Sequence, residues 1–256
     1  MSNAASAHAH AHHWETSAAP MLIVGGVLFS VVFGFVSWFS YSNILWTQIC
    51  AGIGVPLLLA GIAIWTAEAL TQKPVMEGLT PIALPFFIVS EVFIFMGIFA
   101  SYWTMRLSAG PNWPPAGTPT DMNLVLPIIM TIILVSSSAT YHIAEEKIKH
   151  SDLGGFRLWL LISIVLGAIF LGCTIYEYQH LFHMNFKPST NAYSTAFYSI
   201  TGFHASHVVV GLGSFLTVLI AAMAGRTNKY LTFCVGLYWH FVDVVWFFVV
   251  SQVYYW

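Results

Sequence analysis

Charge is what this sequence has least of: 8 Lys and Arg and 10 Asp and Glu among 256 residues, 7% of the chain. An average water-soluble domain carries about 25% charged residues. So few charges cannot solvate a globule of this size, which excludes a soluble fold, and a net charge of −2 leaves no basic surface for nucleic acid. Cysteine is scarce too. Cys50, Cys173 and Cys234 lie far apart in apolar runs with no CxxC or CxxCH spacing, which argues against structural zinc, an attached c-type haem and a disulfide framework. Buried thiols behaving as small apolar groups are the plainer reading. The first twenty residues lack a basic segment and an apolar core ending in a cleavage site, so they do not read as a secretory signal.

What the chain has in abundance is apolar length: 58% hydrophobic residues and a mean hydropathy of +0.77. A membrane-crossing helix needs about 20 mostly apolar residues, and seven stretches qualify: 21–41, 44–67, 81–105, 124–144, 155–178, 193–223 and 231–253. The fold class predicted is therefore all-α, a polytopic membrane protein of seven transmembrane helices. The organisation expected is a polar His- and Ala-rich tail over 1–20, helices 1–2 over 21–67, an inner loop over 68–80, and helices 3–7 over 81–256. His8, His10, His12 and His13 of the tail could catch a metal, although such a segment is ordinarily a solvated surface tail.

Basic residues stay on the cytoplasmic side. With the N-terminus inside, inner loops hold Lys73, Lys147, Lys149, Arg157, Arg226 and Lys229, and outer loops hold Arg106 and Lys187. The C-terminus then lies outside. Trp and Tyr cluster at the span ends, at Trp38, Tyr41, Trp46, Trp65, Tyr102, Trp103, Tyr176, Tyr178, Tyr254, Tyr255 and Trp256, as interfacial aromatic belts do. Gly25, Gly26, Gly34, Gly52, Gly54 and Gly61 in spans one and two would permit close helix or lipid packing.

An ionisable group near the bilayer centre costs about 2.5–3.5 kcal/mol on insertion scales, so any found there is a functional candidate. Here they are Glu91 in span three, His204 and His207 in span six, and His240 and Asp243 in span seven. His204 and His207 are three apart, as are His240 and Asp243, so each pair is expected to share a helix face. Glu91, His207 and His240 come out at similar depth, which makes a shared polar cluster a candidate. The plain reading is helix-tying, with a carboxylate accepting from an imidazole; the sharper one is proton handling or headgroup recognition. Haem ligation by His204, His207 or His240 is a third, weakened by the bulky Phe203, Trp239, Phe241 and Trp246 around them. Glu68, Glu145, Glu146 and Glu177 fall at span ends, where headgroup water is within reach. Arg226 and Lys229, on an inner loop, suit lipid phosphate.

The last third carries long motifs. Phe197-Tyr198-Ser199-Ile200-Thr201-Gly202-Phe203-His204-Ala205-Ser206-His207-Val208 and Tyr238-Trp239-His240-Phe241-Val242-Asp243-Val244-Val245-Trp246 resemble the FxxxTGFHxxHV and YWHFVDVVW segments of the cytochrome c oxidase subunit III family. Ser90-Glu91-Val92-Phe93, Trp113-Pro114-Pro115 and Tyr176-Glu177-Tyr178 are similar to further segments of that family, and seven spans is its full-length count. The resemblance covers about residues 14–256 and is strongest after 190. Three departures stand out: Ala205-Ser206 within GFHASH where the family has GFHGLH, Ile94, Met96 and Ile98 in place of aromatics, and no His near Trp65 and Glu68.

The resemblance implies an accessory subunit of a proton-pumping haem-copper terminal oxidase, passing electrons from cytochrome c to oxygen in the prokaryotic plasma membrane. The chain itself would be non-catalytic and hold no haem or copper, those belonging to its partners, subunits I and II. Structural phospholipids would fill a V-shaped cleft where the first two helices splay from a five-helix bundle, with Trp65, Glu68, Arg226 and Lys229 as lipid-binding candidates. Other respiratory complexes are further candidate partners. Such a subunit sustains proton uptake into subunit I and limits inactivation during turnover. Glu91 matches the family's carbodiimide-reactive carboxylate, with His204 and His207 its neighbours by position. A quinol oxidase or nitric oxide reductase is the alternative parent complex. A stand-alone proton transporter would be expected to carry an internal repeat, and none is visible.

Overall fold

The computed structural model describes residues 17–39, 41–71, 79–119 and 124–255. The histidines of the tail, Lys73 of the inner loop and Trp256 lie outside these residues. Among the described residues there is no strand. Helix α1 (Ala19–Val27) passes through a π-helical turn (Leu28–Phe33) into α2 (Gly34–Phe39), followed by α3 (Ile44–Thr71), α4 (Leu79–Ala109), α5 (Val125–Lys149), α6 (Leu153–His183), α7 (Ala192–Met223) and α8 (Lys229–Val249), which ends in a second π-helical turn (Val250–Tyr254). These form seven helical segments long and apolar enough to cross a membrane. The chain divides into two compact units, residues 1–75 and 76–256.

In the first unit α1 and α3 approach closely at three of the six glycines. A Cβ on Gly26 would lie 2.5 Å from the backbone nitrogen of Leu58, one on Gly61 would lie 2.7 Å from Ile23 Cγ1, and one on Gly54 would run into the backbone of Ser30. Ser30 sits in the π-helical turn, and its Oγ donates back to the Gly26 carbonyl at 2.6 Å. Gly25 and Gly52 face open space instead. Ser17 Oγ donates to both carboxylate oxygens of Glu68, at 2.9 and 2.7 Å, tying the start of α1 to the end of α3.

The second unit owes its connections to capping. Asp152 accepts from Gly155 N at 2.9 Å to start α6. That backbone N–H, with Lys147 Nζ 3.4 Å away, holds the Asp152 carboxyl below the usual carboxylate range. Asn191 and Ser194 form a reciprocal capping box at the start of α7. The Asn191 amide also donates to Ala116 O and Thr118 Oγ1, which fixes the α4–α5 loop. Arg157 donates to the Ala222 carbonyl at 2.6 Å, a cation on the carbonyl end of α7.

Helix α8 is the most enclosed of the spans. Its Trp239 is 0% exposed and lies against two glycines: a Cβ on Gly211 would come 2.5 Å from the indole, and one on Gly167 would come 3.0 Å from it. Tyr141 of α5 donates to the Thr232 carbonyl at 2.7 Å, and Ser137, Thr140 and Ser163 stitch α5 to α6. Small polar residues suit such seams because they let backbones approach and bond across.

At the far end of α8, donors from three other positions gather on the π-helical turn. Tyr102 and Tyr193 donate to the carbonyls of Gln252 and Val253, each at 2.8 Å, and Trp103 Nε1 donates to Gln252 Oε1 at 2.9 Å. Carbonyls at a helix end have no helical partner and need one from elsewhere. Tyr102 is therefore fully buried, and Tyr254 nearly so, whereas the sequence suggests belt residues at both places. Tyr176 and Tyr255 are exposed in the expected manner.

A leucine at Gly54 should force α1 off α3 at a cost of about 1–3 kcal/mol, while Gly52→Leu should be neutral. Thermal unfolding of the two variants in detergent, side by side, checks this.

Candidate functional site

Glu91 lies on α4, two turns beyond Pro85, and His207 lies on α7. The two helices meet through Phe95, whose ring centroid is 4.8 Å from that of Phe203 and 5.1 Å from the His207 ring. Phe203, Tyr238 and Phe241 complete an aromatic surround for the imidazole. From within it His207 Nε2 reaches Glu91 Oε2 at 3.0 Å, with the two side chains 10% and 14% exposed. The other ring nitrogen, Nδ1, is 2.9 Å from the Phe203 carbonyl.

That carbonyl can only accept, so Nδ1 carries a proton, and a single further proton lies between Nε2 and the carboxylate. The pair is either a neutral acid beside a neutral imidazole or a carboxylate beside an imidazolium. Both have zero net charge, which is what a poorly solvated site tolerates. Removing the shared proton would set a bare carboxylate against a lone pair. The two forms differ by a shift of one proton along one hydrogen bond.

The other candidates make their contacts elsewhere. His204, three residues before His207, turns into the interior: it is 1% exposed and lies between Phe170 of α6 and Trp246 of α8, with ring centroids 5.8 and 5.0 Å away. Ser138 Oγ of α5 donates to Asp243 Oδ2. His240 is half-buried, and its ionisable neighbour is His142 of α5. The structure thus brings Glu91 to His207, leaves His204 and Asp243 within the α5–α8 interior, and sets His240 toward α5. Both ring nitrogens of His204, Oδ1 of Asp243 and Nε1 of Trp239 are buried with no hydrogen-bond partner among the described residues. An unpaired buried polar group costs about 1–3 kcal/mol.

Of the lipid candidates, Trp65 is 45% exposed. Glu68 is engaged by Ser17, and Arg226 and Lys229 are exposed on the α7–α8 turn. An apolar groove of about 210 Å³ opens between α4 and α8, lined by Val92, Phe95, Met96, Phe99, Phe241 and Phe248. Among the described residues no three or more His, Cys, Asp or Glu stand close enough to hold a metal ion.

Glu177 corrects the sequence reading. The sequence places it at a span end within reach of headgroup water, yet α6 continues to His183 and leaves Glu177 more than a turn inside, 7% exposed, accepting from Tyr254 OH at 2.8 Å. The signal that could have found it was the pairing of Tyr176-Glu177-Tyr178 with an aromatic C-terminal tail.

The family model of cytochrome c oxidase subunit III matches residues 10–256. The chain belongs to that family. The subunit III relatives include a probable cytochrome c oxidase subunit 3 of Nocardia farcinica, 38% identical over 65% of this chain and 82% of the relative. The cytochrome c oxidase subunit 3 of Synechocystis is 42% identical over 62% of this chain and 68% of its own length. That of Bacillus subtilis is 36% identical over 74% and 92%. Both the Glu91–His207 pair and the Glu177–Tyr254 pair lie within the stretch that the subunit III model matches.

Glu91→Gln should keep a hydrogen bond to His207 while abolishing carbodiimide labelling of the chain, read by mass spectrometry of labelled peptides. Tyr254→Phe should strand the Glu177 carboxylate and cost about 1–3 kcal/mol, whereas Glu177→Gln should cost less because its amide oxygen still accepts. Thermal melts of the assembled oxidase check the order.

Proposed function

We propose that this subunit III is non-catalytic within a haem-copper oxidase of the prokaryotic plasma membrane, and that, seated with subunits I and II, it supports proton uptake into subunit I and keeps that subunit active through repeated turnovers. The observation that carries the reading is the Glu91–His207 pair, a 3.0 Å contact between two little-exposed ionisable groups. A proton can shift between the carboxyl and the imidazole without changing the net charge of a poorly solvated place, which suits the pair to a step in proton transfer.

Phospholipids belong to the same reading. The α4–α8 groove is lined by carbon and suits an acyl chain, and Arg226 with Lys229 suits an anionic headgroup at the inner interface. The orientation, N-terminus cytoplasmic and C-terminus on the outer side, is supported by the second unit. Arg157 bonds to the end of α7, so Lys147, Lys149, Arg157, Arg226 and Lys229 share one end of the bundle, and Lys187 and Arg106 lie toward the other. Basic residues mark the cytoplasmic side.

Oxidase purified without this chain should reduce oxygen at its normal initial rate and then lose activity over successive turnovers, several-fold faster than the complete complex. Complex carrying Glu91→Gln should fall between the two. Oxygen-consumption traces started from low enzyme concentration check this; an undiminished lifetime without the chain, or haem absorbance in the purified chain alone, would refute it.

A further inference from the structure

The interior of the α5–α8 bundle holds a second polar centre that the Glu91–His207 pair does not use. Along α7, His204, Val208 and Gly211 lie on one face; along α8, Trp246, Asp243 and Trp239 do the same. The two helices run antiparallel, with His204 against Trp246 and Gly211 against Trp239. That register sets Asp243 level with His207, one turn or about 4.5 Å along the axis from His204. At that offset the two side chains make no direct hydrogen bond to each other, and a single small intermediate could bond to both.

The chemistry of the unpartnered atoms is complementary. Asp243 Oδ1 offers an acceptor, Trp239 Nε1 a donor, and His204, whose two nitrogens are both orphaned, one of each. Ser138 already occupies the other carboxylate oxygen. Three side chains within two turns, all at least nine-tenths buried, therefore present two donors and two acceptors to one another's vicinity. The one ligand that matches mixed donors and acceptors, carries no charge and is small enough for a close-packed bundle is water.

We propose that His204, Asp243 and Trp239 enclose an internal hydration site of about one or two water molecules, bridging α7 to α8 and, through Ser138, to α5. Its position is near the middle of both spans, 12 residues into α7 and 14 into α8. Water there lets a carboxyl and an imidazole remain at hydrocarbon depth without bonding to each other. The inference is independent of whether Glu91 takes part in proton uptake, since the two centres share no side chain.

The test is a density map of the intact wild-type oxidase fine enough to resolve ordered solvent. Expected is density within about 2.7–3.2 Å of Asp243 Oδ1 and of a His204 ring nitrogen. A map in which His204 bonds directly to Asp243, or in which the orphaned atoms face only carbon, overturns the proposal. As a second readout, X-ray-generated hydroxyl radicals should label Trp239 in the wild-type complex although it has no exposed surface, because radicals form at bound water. That label should fall several-fold when His204→Phe and Asp243→Leu are combined; an unchanged label in the double variant also overturns it. The wild-type map decides the matter even where the double variant does not assemble.

Discussion

The seat of Trp239 against Gly167 and Gly211 is the contact on which the second unit depends. An indole buried to 0% exposure between α6 and α7 fixes how close those helices come to α8, and close-packed interiors transmit such spacing along the whole helix. From that seat the other α8 partners follow at turn intervals: Thr232 for Tyr141, Asp243 for Ser138, Trp246 for Thr131 and His204. At the C-terminal end of α8 the π-helical turn is closed by Tyr102, Trp103 and Tyr193. A larger residue at Gly211 would move the register of every one of these pairs.

Lipid offers no hydrogen bonds, so each polar group placed in a span must find its partner within the protein. This chain answers in three ways. Glu91 and His207 satisfy each other in an aromatic surround. Glu177 takes the Tyr254 hydroxyl, and Asp243 takes Ser138 through one oxygen while its other oxygen remains for a further ligand. The first lies between α4 and α7 with side chains 10% and 14% exposed; the latter two are more enclosed.

Much of the architecture was legible in the residue order. Seven apolar runs separated by Pro, Asn and charged residues can fold only as spans, and their limits agree with the helices to within a few residues, except where α4, α5 and α6 run on past the expected ends. Those extensions use amphipathic turns such as Met105-Arg106-Leu107 and Tyr178-Gln179-His180, whose polarity hides them from a hydropathy reading. The same overrun is why Glu177 looked solvated. The site was half legible: the unusual depth of Glu91, His204, His207, His240 and Asp243 marked them, and similar depth grouped Glu91 with His207 and His240, of which the bundle brings His207 to Glu91 and sets His240 toward α5.

What the sequence determined by itself is the solvent this protein lives in and the number of times it crosses it, because hydropathy and helix length are local properties that no packing can reverse. What only the tertiary structure decided is which ionisable group meets which. Partner choice depends on the rotation and axial register of one helix against another, and those are set by Trp239 on its two glycines and by capped loops such as Asn191–Ser194. A pair such as Glu91 and His207, 116 positions apart, leaves no trace in either residue's own neighbourhood.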